Sequence, residues 1–342
     1  MQKEIIQGGK LLNSSGSLSE AGWARSLIKE YDRKDIKANP LRIKEWDYYF
    51  ISDGKKGLAL TIDDNGYMGL HSASWLDFEH PDDKTKSVMT FMPLGKTNLP
   101  SSSVSGITAF SNKTIQIAFE NTSDIRRLYL VYHDFHDGKT LTAEVALSDP
   151  PDESMVIMTP FKDHPKAFYY NQKINCMKAE GYVRLGEEKY VFGKDAMGVM
   201  DWGRGVWTYA NTWYWSSASG MLDGHPFGFN LGYGFGDTSA ASENVLFYNG
   251  KVHKLDGIDF GIPQKDGKDD FMSPWHFTSN DGRFDAVFTP VLDRAADTNA
   301  LIIESDQHQV FGHFDGQAVL DDGTVLKFDH FFGFAEKVKN RW

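Results

Sequence analysis

Cysteine is almost absent from this sequence, with Cys176 the single example in 342 residues. One thiol excludes an intramolecular disulfide framework and a thiolate-rich metal site, so neither a stapled scaffold nor a zinc ribbon is available. No run approaches the roughly 18 apolar residues of a membrane-spanning helix, and the opening MQKEIIQGGKLLNSSGS lacks the apolar core of a secretory signal. Basic charge is also in deficit: 36 Lys and Arg face 47 Asp and Glu, a formal charge of −11. That balance argues against wholesale nucleic-acid or anionic-membrane binding. The expectation is a soluble cytoplasmic protein with no integral membrane segment and no nucleic-acid partner. Its oligomeric state is not readable from composition.

Cofactor loops are missing too. NLGYGFGD carries alternate glycines but not the G-x-G-x-x-G spacing ahead of a helix, and no P-loop occurs. Ser216, Ser217 and Ser219 have no nucleophile elbow around them. His133 and His136 stand three apart, so on a strand they face opposite sides. Neither a metal nor an organic cofactor is expected.

Aromatic residues and glycine are abundant, at 14% of the chain and 32 residues, whereas proline numbers only 12. This suits strands better than helices. IKEWDYYFIS, KGLALTID and YMGLHSASWLDF alternate as strands between DGK and DNG turns, and comparable runs continue to the C-terminus. Asn249-Gly250, set between ENVLFY and KVHKL, predicts a two-residue type I′ hairpin that pairs Tyr248 with Lys251 and Leu246 with His253. The segment Ser17–Lys34 reads as the one helix: Trp23, Leu27, Ile28 and Tyr31 recur at helical spacing, with Ser19 as a cap and Glu20 in the first turn. Many strands about ten residues apart predict an all-β protein of barrels or sandwiches. A composition break at Pro150-Pro151 suggests domains at 1–150 and 151–342.

The most distinctive stretch is DWGRGVWTYANTWYWSSASGMLDGHPFGFNLGYGFG, from Asp201 to Gly236, with four of the nine tryptophans. If extended, Trp207, Tyr209, Asn211, Trp213 and Trp215 share one face. Phe227, Phe229, Leu231, Tyr233 and Phe235 then oppose Gly228, Asn230, Gly232, Gly234 and Gly236. Glycine inside a strand signals close approach by a ring, a barrel bend or a ligand. Two readings of Asp201 stand. Desolvated among indoles beside Trp202, it would keep its proton and act as an acid; paired with Arg204, it would pin a DWGRG turn instead. If the strands from Val206 and Phe227 pair, Asp237 reaches the same end, and with Glu243 offers further carboxylates for acid and base roles.

The order of motifs, including IKEWDYYFI, LTIDDNGYMGLHSASWLDF, MPLGKTNLPSSS, GVMDWGRGVWTYANTWYWSSASG, GFNLGYGFGD, SENVLFYNGKVHKL and the closing GFAEKVKNRW, resembles the bacterial family catalogued as domain of unknown function 2804. That family is similar in fold to the lipocalin-like group of carotenoid 1,2-hydratases, tocopherol cyclases and fungal pericyclases. The resemblance implies two packed lipocalin-like antiparallel β-barrel domains, with chemistry in or between them, and supplies no substrate. The resulting expectation is a cofactor-independent enzyme, of hydratase, cyclase or isomerase type, acting by acid catalysis on a hydrophobic, for example isoprenoid, substrate. Its catalytic candidates are Asp201, Arg204, Asp237 and Glu243, and its pocket candidates Trp202, Trp207, Tyr209, Asn211, Trp213, Trp215 and Asn230. The alternatives are a non-catalytic carrier of a lipid or apolar metabolite, and a carbohydrate-active enzyme with paired carboxylates and stacking tryptophans.

Overall fold

The computed structural model describes residues 2–300 and 303–341. Two curled antiparallel sheets, of thirteen and nine strands, make up most of it. The first runs from Asp82–Phe91 through Met68–Asp77, Lys56–Asp64, Ile43–Ser52, Met197–Val206, His164–Leu185, Lys139–Ser148, Arg126–His136 and Ile115–Asn121 to Gly106–Ser111. The second begins at Lys251–Lys254 and passes through Val245–Tyr248, His225–Tyr233, Ala210–Leu222, Val325–Arg341, Ile303–Val319, Phe284–Ala300 and Trp275–Ser279 to Ile258–Asp259. Alternation explains most of both, one apolar face of a strand turning inward as the sheet curls to enclose it, while Ile43–Ser52 and Met197–Val206 are buried on both faces.

Three apolar clusters follow from that curl. Tyr49, Leu60, Phe119, Leu130 and Val183 belong to the core of the first sheet. Phe227, Phe229, Trp275, Phe288 and Phe314 belong to that of the second. The third lies between the sheets, where Tyr48, Phe50 and Val199 meet Trp215, Leu292, Phe311 and Phe334. The Phe50 ring sits 5.2 Å from Phe311 and 5.6 Å from Phe334. Burying each such ring contributes about 1.5–3 kcal/mol, so the two barrels are held face to face by an apolar seam.

The chain changes sheets inside the distinctive stretch. Met197–Val206 is a strand of the first sheet and Ala210–Leu222 of the second, with Trp207, Thr208 and Tyr209 as the crossover. Residues 151–206, placed by composition with the second domain, therefore hydrogen-bond within the first sheet through Met155–Phe161, His164–Leu185 and Met197–Val206. The expected strand from Val206 is split by the crossover: Val206 itself lies between Ile43–Ser52 and His164–Leu185, whereas the tryptophan run in Ala210–Leu222 pairs antiparallel with the Phe227 strand as expected, Trp215 opposite Gly232.

The expected helix at Ser17–Lys34 does not form. Gly22–Ala24 is a short strand against Met155–Phe161, Lys29–Glu30 pairs with Gly9–Lys10, and only a 3-10 turn follows at Arg33–Asp35. The Ser19 hydroxyl caps nothing; it donates to the Lys10 carbonyl. Trp23 and Tyr31 are nonetheless buried in the first core, so the segment is a plug whose apolar residues happen to recur at helical spacing. The hairpin at Asn249-Gly250 has the predicted register, with φ of 46° and 82° at the two turn residues. Both are positive, as a type I′ turn requires.

Candidate active site between the two sheets

Register decides which residues of DWGRG meet which barrel. Asp201 stands opposite Tyr48 and Lys173, while Trp202 stands opposite Asp47 and Gln172. Odd residues of Met197–Val206 thus look toward the second sheet and even ones into the first barrel. Trp202 and Arg204 are fully buried in that barrel. The Arg204 guanidinium lies 4.2 Å from the Trp202 ring centre, pairs with Asp47 at 3.0 Å, and donates to the Trp46, Gly203 and Pro100 carbonyls. The expected pair between Asp201 and Arg204 is absent because the two point to opposite faces. Gly203, on the Asp201 face, has a packing reason: a Cβ there would meet the Trp46 indole at 2.0 Å.

Asp201 is buried in the seam, where its two oxygens are both engaged. The Lys173 ammonium contacts Oδ2 at 2.8 Å and Asn171 Nδ2 donates to Oδ1 at 2.5 Å. Lys173 is itself buried, with Nζ 3.8 Å from the centre of the Trp215 ring. A carboxyl group with a cation on one oxygen and an amide N–H on the other is arranged as an acceptor rather than as a proton donor.

Two other carboxyl groups of this layer have no ion-pair partner among the described residues. Glu336, directly across the strand pair from Trp215, is buried; Trp213 Nε1 donates to its Oε1 at 2.9 Å and Gln309 Nε2 to its Oε2 at 3.0 Å. Burial pushes this carboxyl up to about 7, against the pull of the Trp213 N–H and the Lys173 and Arg294 cations. Glu243 is partly buried, and desolvation raises it too, with Lys173 opposing and Asp201 reinforcing the rise. Asn230 links it to the ring wall: its Nδ2 donates to the Glu243 carbonyl at 2.9 Å and its Oδ1 accepts from Trp215 Nε1 at 2.7 Å. Gly232 leaves room for the Glu243 side chain, since a Cβ would come within 2.5 Å of Oε1.

Aromatic rings close one side. Trp207 packs on Trp46, Trp213 and Phe235 at 5.3, 5.6 and 4.6 Å, and Tyr169 lies 6.1 Å from Trp46. The seam therefore collects Asp201, Trp207, Trp213, Trp215, Asn230 and Glu243 from the sequence-based candidates. It leaves out five others. Trp202 and Arg204 face the first barrel, Tyr209 is 48% exposed on the crossover, and Asn211 ties that crossover by bonding Thr208. Asp237 also stays apart, accepting from the Ser239 N–H in a turn that holds its carboxyl below the usual range.

Sequence reasoning missed Lys173, Asn171, Glu336, Gln309 and Arg294. Arg294 donates to Gln309 Oε1 and Ser74 Oγ, each at 2.6 Å, so it extends the same network across both sheets. The available signal was polar residues set inside strands rich in aromatic residues, as in Asn171 and Lys173 of FYYNQKINCM or Gln309 of HQVFGHF. Such residues mark a buried polar stripe.

The profile described as Domain of unknown function (DUF2804) matches residues 2–342. The chain belongs to this family. No curated protein matches this DUF2804 protein in sequence. Two solved structures share its fold. Kievitone hydratase from Nectria haematococca is 12% identical with a TM-score of 0.52, covering 87% of this chain and 88% of its own. A putative AttH from Nitrosomonas europaea is likewise 12% identical, with a TM-score of 0.54 and coverage of 91% and 96%. At such identity the likeness establishes the lipocalin-like double-barrel architecture.

Proposed function

We propose that this DUF2804 protein is an acid-base enzyme that hydrates, cyclises or isomerises a hydrophobic small molecule in the layer between its barrels. The observation that carries the reading is a carboxyl group poised near neutrality, Glu336, in a ring-walled layer beside a fixed ion pair. An acid with a pKa close to working pH both gives and regains a proton efficiently. Glu336 takes the donor role and Glu243 is the second titrating carboxyl. Asp201 and Lys173 supply a fixed dipole, and the face of Trp213 stabilises positive charge on protonated substrate. That one protein of similar fold is named a hydratase agrees with this reading. The burial of Asp201 and Glu336 favours it over a sugar-cleaving site, which needs opposed carboxylates in an open polar cleft.

The test is untargeted mass spectrometry of a metabolite extract incubated with wild type, Glu336→Gln or Asp201→Asn. Wild type should consume an apolar species and yield an isomer, or a product heavier by one water, and both variants should lose at least about 100-fold of that rate. Undiminished turnover by Glu336→Gln removes the mechanism. An apolar molecule that co-purifies unchanged with all three proteins would make the protein a carrier.

A further inference from the structure

A cleft of about 490 Å³ opens between the barrels, away from the tryptophan crossover, and the mechanism has not used it. Its inner wall includes Val199, Ser217 and Phe334. Each stands two residues from a member of the acid layer, Asp201, Trp215 and Glu336 respectively, on the same strand face. Such neighbours lie about 7 Å apart, so the cleft ends one side chain short of the buried carboxyls. We infer that this cleft binds the substrate, as a neutral or cationic apolar molecule with a hydrogen-bond acceptor, and that it selects against anions such as fatty acids and phosphate esters. The inference rests on the function proposed above and names its substrate class.

The lining gives the chemistry. Phe50, Met197, Val199, Phe332 and Phe334 form an apolar wall, and the volume is that of an ordinary small-molecule site. Ser217 and Ser219 supply the polar end. Asn175 Nδ2 donates to the Ser217 hydroxyl at 2.8 Å and to that of Ser219 at 3.3 Å, which leaves the Ser217 O–H free to donate to a ligand. Asn175 reaches them because a bulge between Ile174 and Met177 redirects it toward the second sheet. At the rim stand Asp53, Asp195 and Asp329, with no lysine or arginine in the lining. Three carboxylates, taken at about 8 Å from a bound anion, weaken its binding about tenfold in dilute salt.

The probes are a matched pair of dyes, neutral N-phenylnaphthylamine and its sulfonated analogue anilinonaphthalene sulfonate, titrated at pH 8 and low ionic strength. The neutral dye should bind at least about tenfold more tightly. The double variant D195N/D329N should narrow that ratio to about two- or threefold. Met221→Trp, at an exposed position of the rim, should weaken the neutral dye about tenfold or more without changing the thermal midpoint. Equal affinity for the two dyes, no binding of the neutral dye, or indifference to Met221→Trp overturns the inference. Glu336→Gln separates this from the catalytic reading: it should bind dye like wild type while losing turnover. Dye binding intact with turnover retained sinks the acid and leaves the cleft. Lost turnover with dye binding indifferent to Met221→Trp does the reverse.

Discussion

Replacing Glu336 with Gln keeps the shape of the side chain and removes its charge, and its effect on stability should depend on pH with a definite sign. In the folded protein burial lifts this carboxyl from 4.5 to about 7. Between those values the folded state holds a proton that the unfolded state has released, so wild-type stability falls as pH rises through the window. The cost is absent below about pH 4.5 and complete above about pH 7. A shift of that size, at about 1.4 kcal/mol per unit, is roughly 3 kcal/mol. Glutamine has no proton to lose and resembles the neutral acid, with one oxygen to accept from Trp213 or Gln309. The variant should therefore gain on wild type by roughly 3 kcal/mol between pH 4.5 and pH 8, on top of a pH-independent cost of about 1–3 kcal/mol for the one N–H left without an acceptor. Urea denaturation of both proteins across this range measures the difference. Other raised groups, such as Asp63 at about 7, are common to both and cancel. A difference that is flat with pH, or a variant that loses stability as pH rises, would refute the reasoning.

Three further outcomes follow from the same geometry. Asp201→Asn strands the buried Lys173 ammonium and should cost about 3–5 kcal/mol, whereas the double variant with Lys173→Met should cost less than the sum of the single changes, as a double-mutant cycle by denaturation will show. Gly203→Ala places a methyl group 2.0 Å from the Trp46 indole and should destabilise by about 3 kcal/mol or more; combining it with Trp46→Leu should recover part of the thermal midpoint. Gly250→Ala, at a φ of 82°, should cost about 1 kcal/mol while leaving dye binding and turnover intact, since the hairpin is remote from the seam.

What the sequence disclosed and what it hid have distinct physical origins. Strands such as Ile43–Ser52 and the turn at Asn249-Gly250 were legible because alternation and turn chemistry are local. The plug around Trp23 was misread because its burial comes from distant strands: Ile157 stands opposite Trp23, and no local propensity opposes tertiary packing of that kind. The aromatic ladder pointed to the right region, but which sheet covers each face was not legible: the chain changes sheets between Val206 and Ala210, and even-numbered Trp202 and Arg204 turn into the first barrel while odd-numbered Asp201, Trp213 and Trp215 face the seam. Glu336 gave no signal as an acid. Its partners Trp213 and Gln309 lie 123 and 27 residues away, and a lone Glu near a C-terminus reads as surface until that distance is closed.

The most direct measurement is the titration of the Glu336 carboxyl itself, by NMR of protein labelled with carbon-13 at the glutamate side-chain carboxyls, with Glu336→Gln to assign the resonance. The account predicts a midpoint near the value of about 7 that burial imposes. A midpoint at the ordinary 4.5 would mean a solvated carboxylate in the seam, and no buried acid for the chemistry to use.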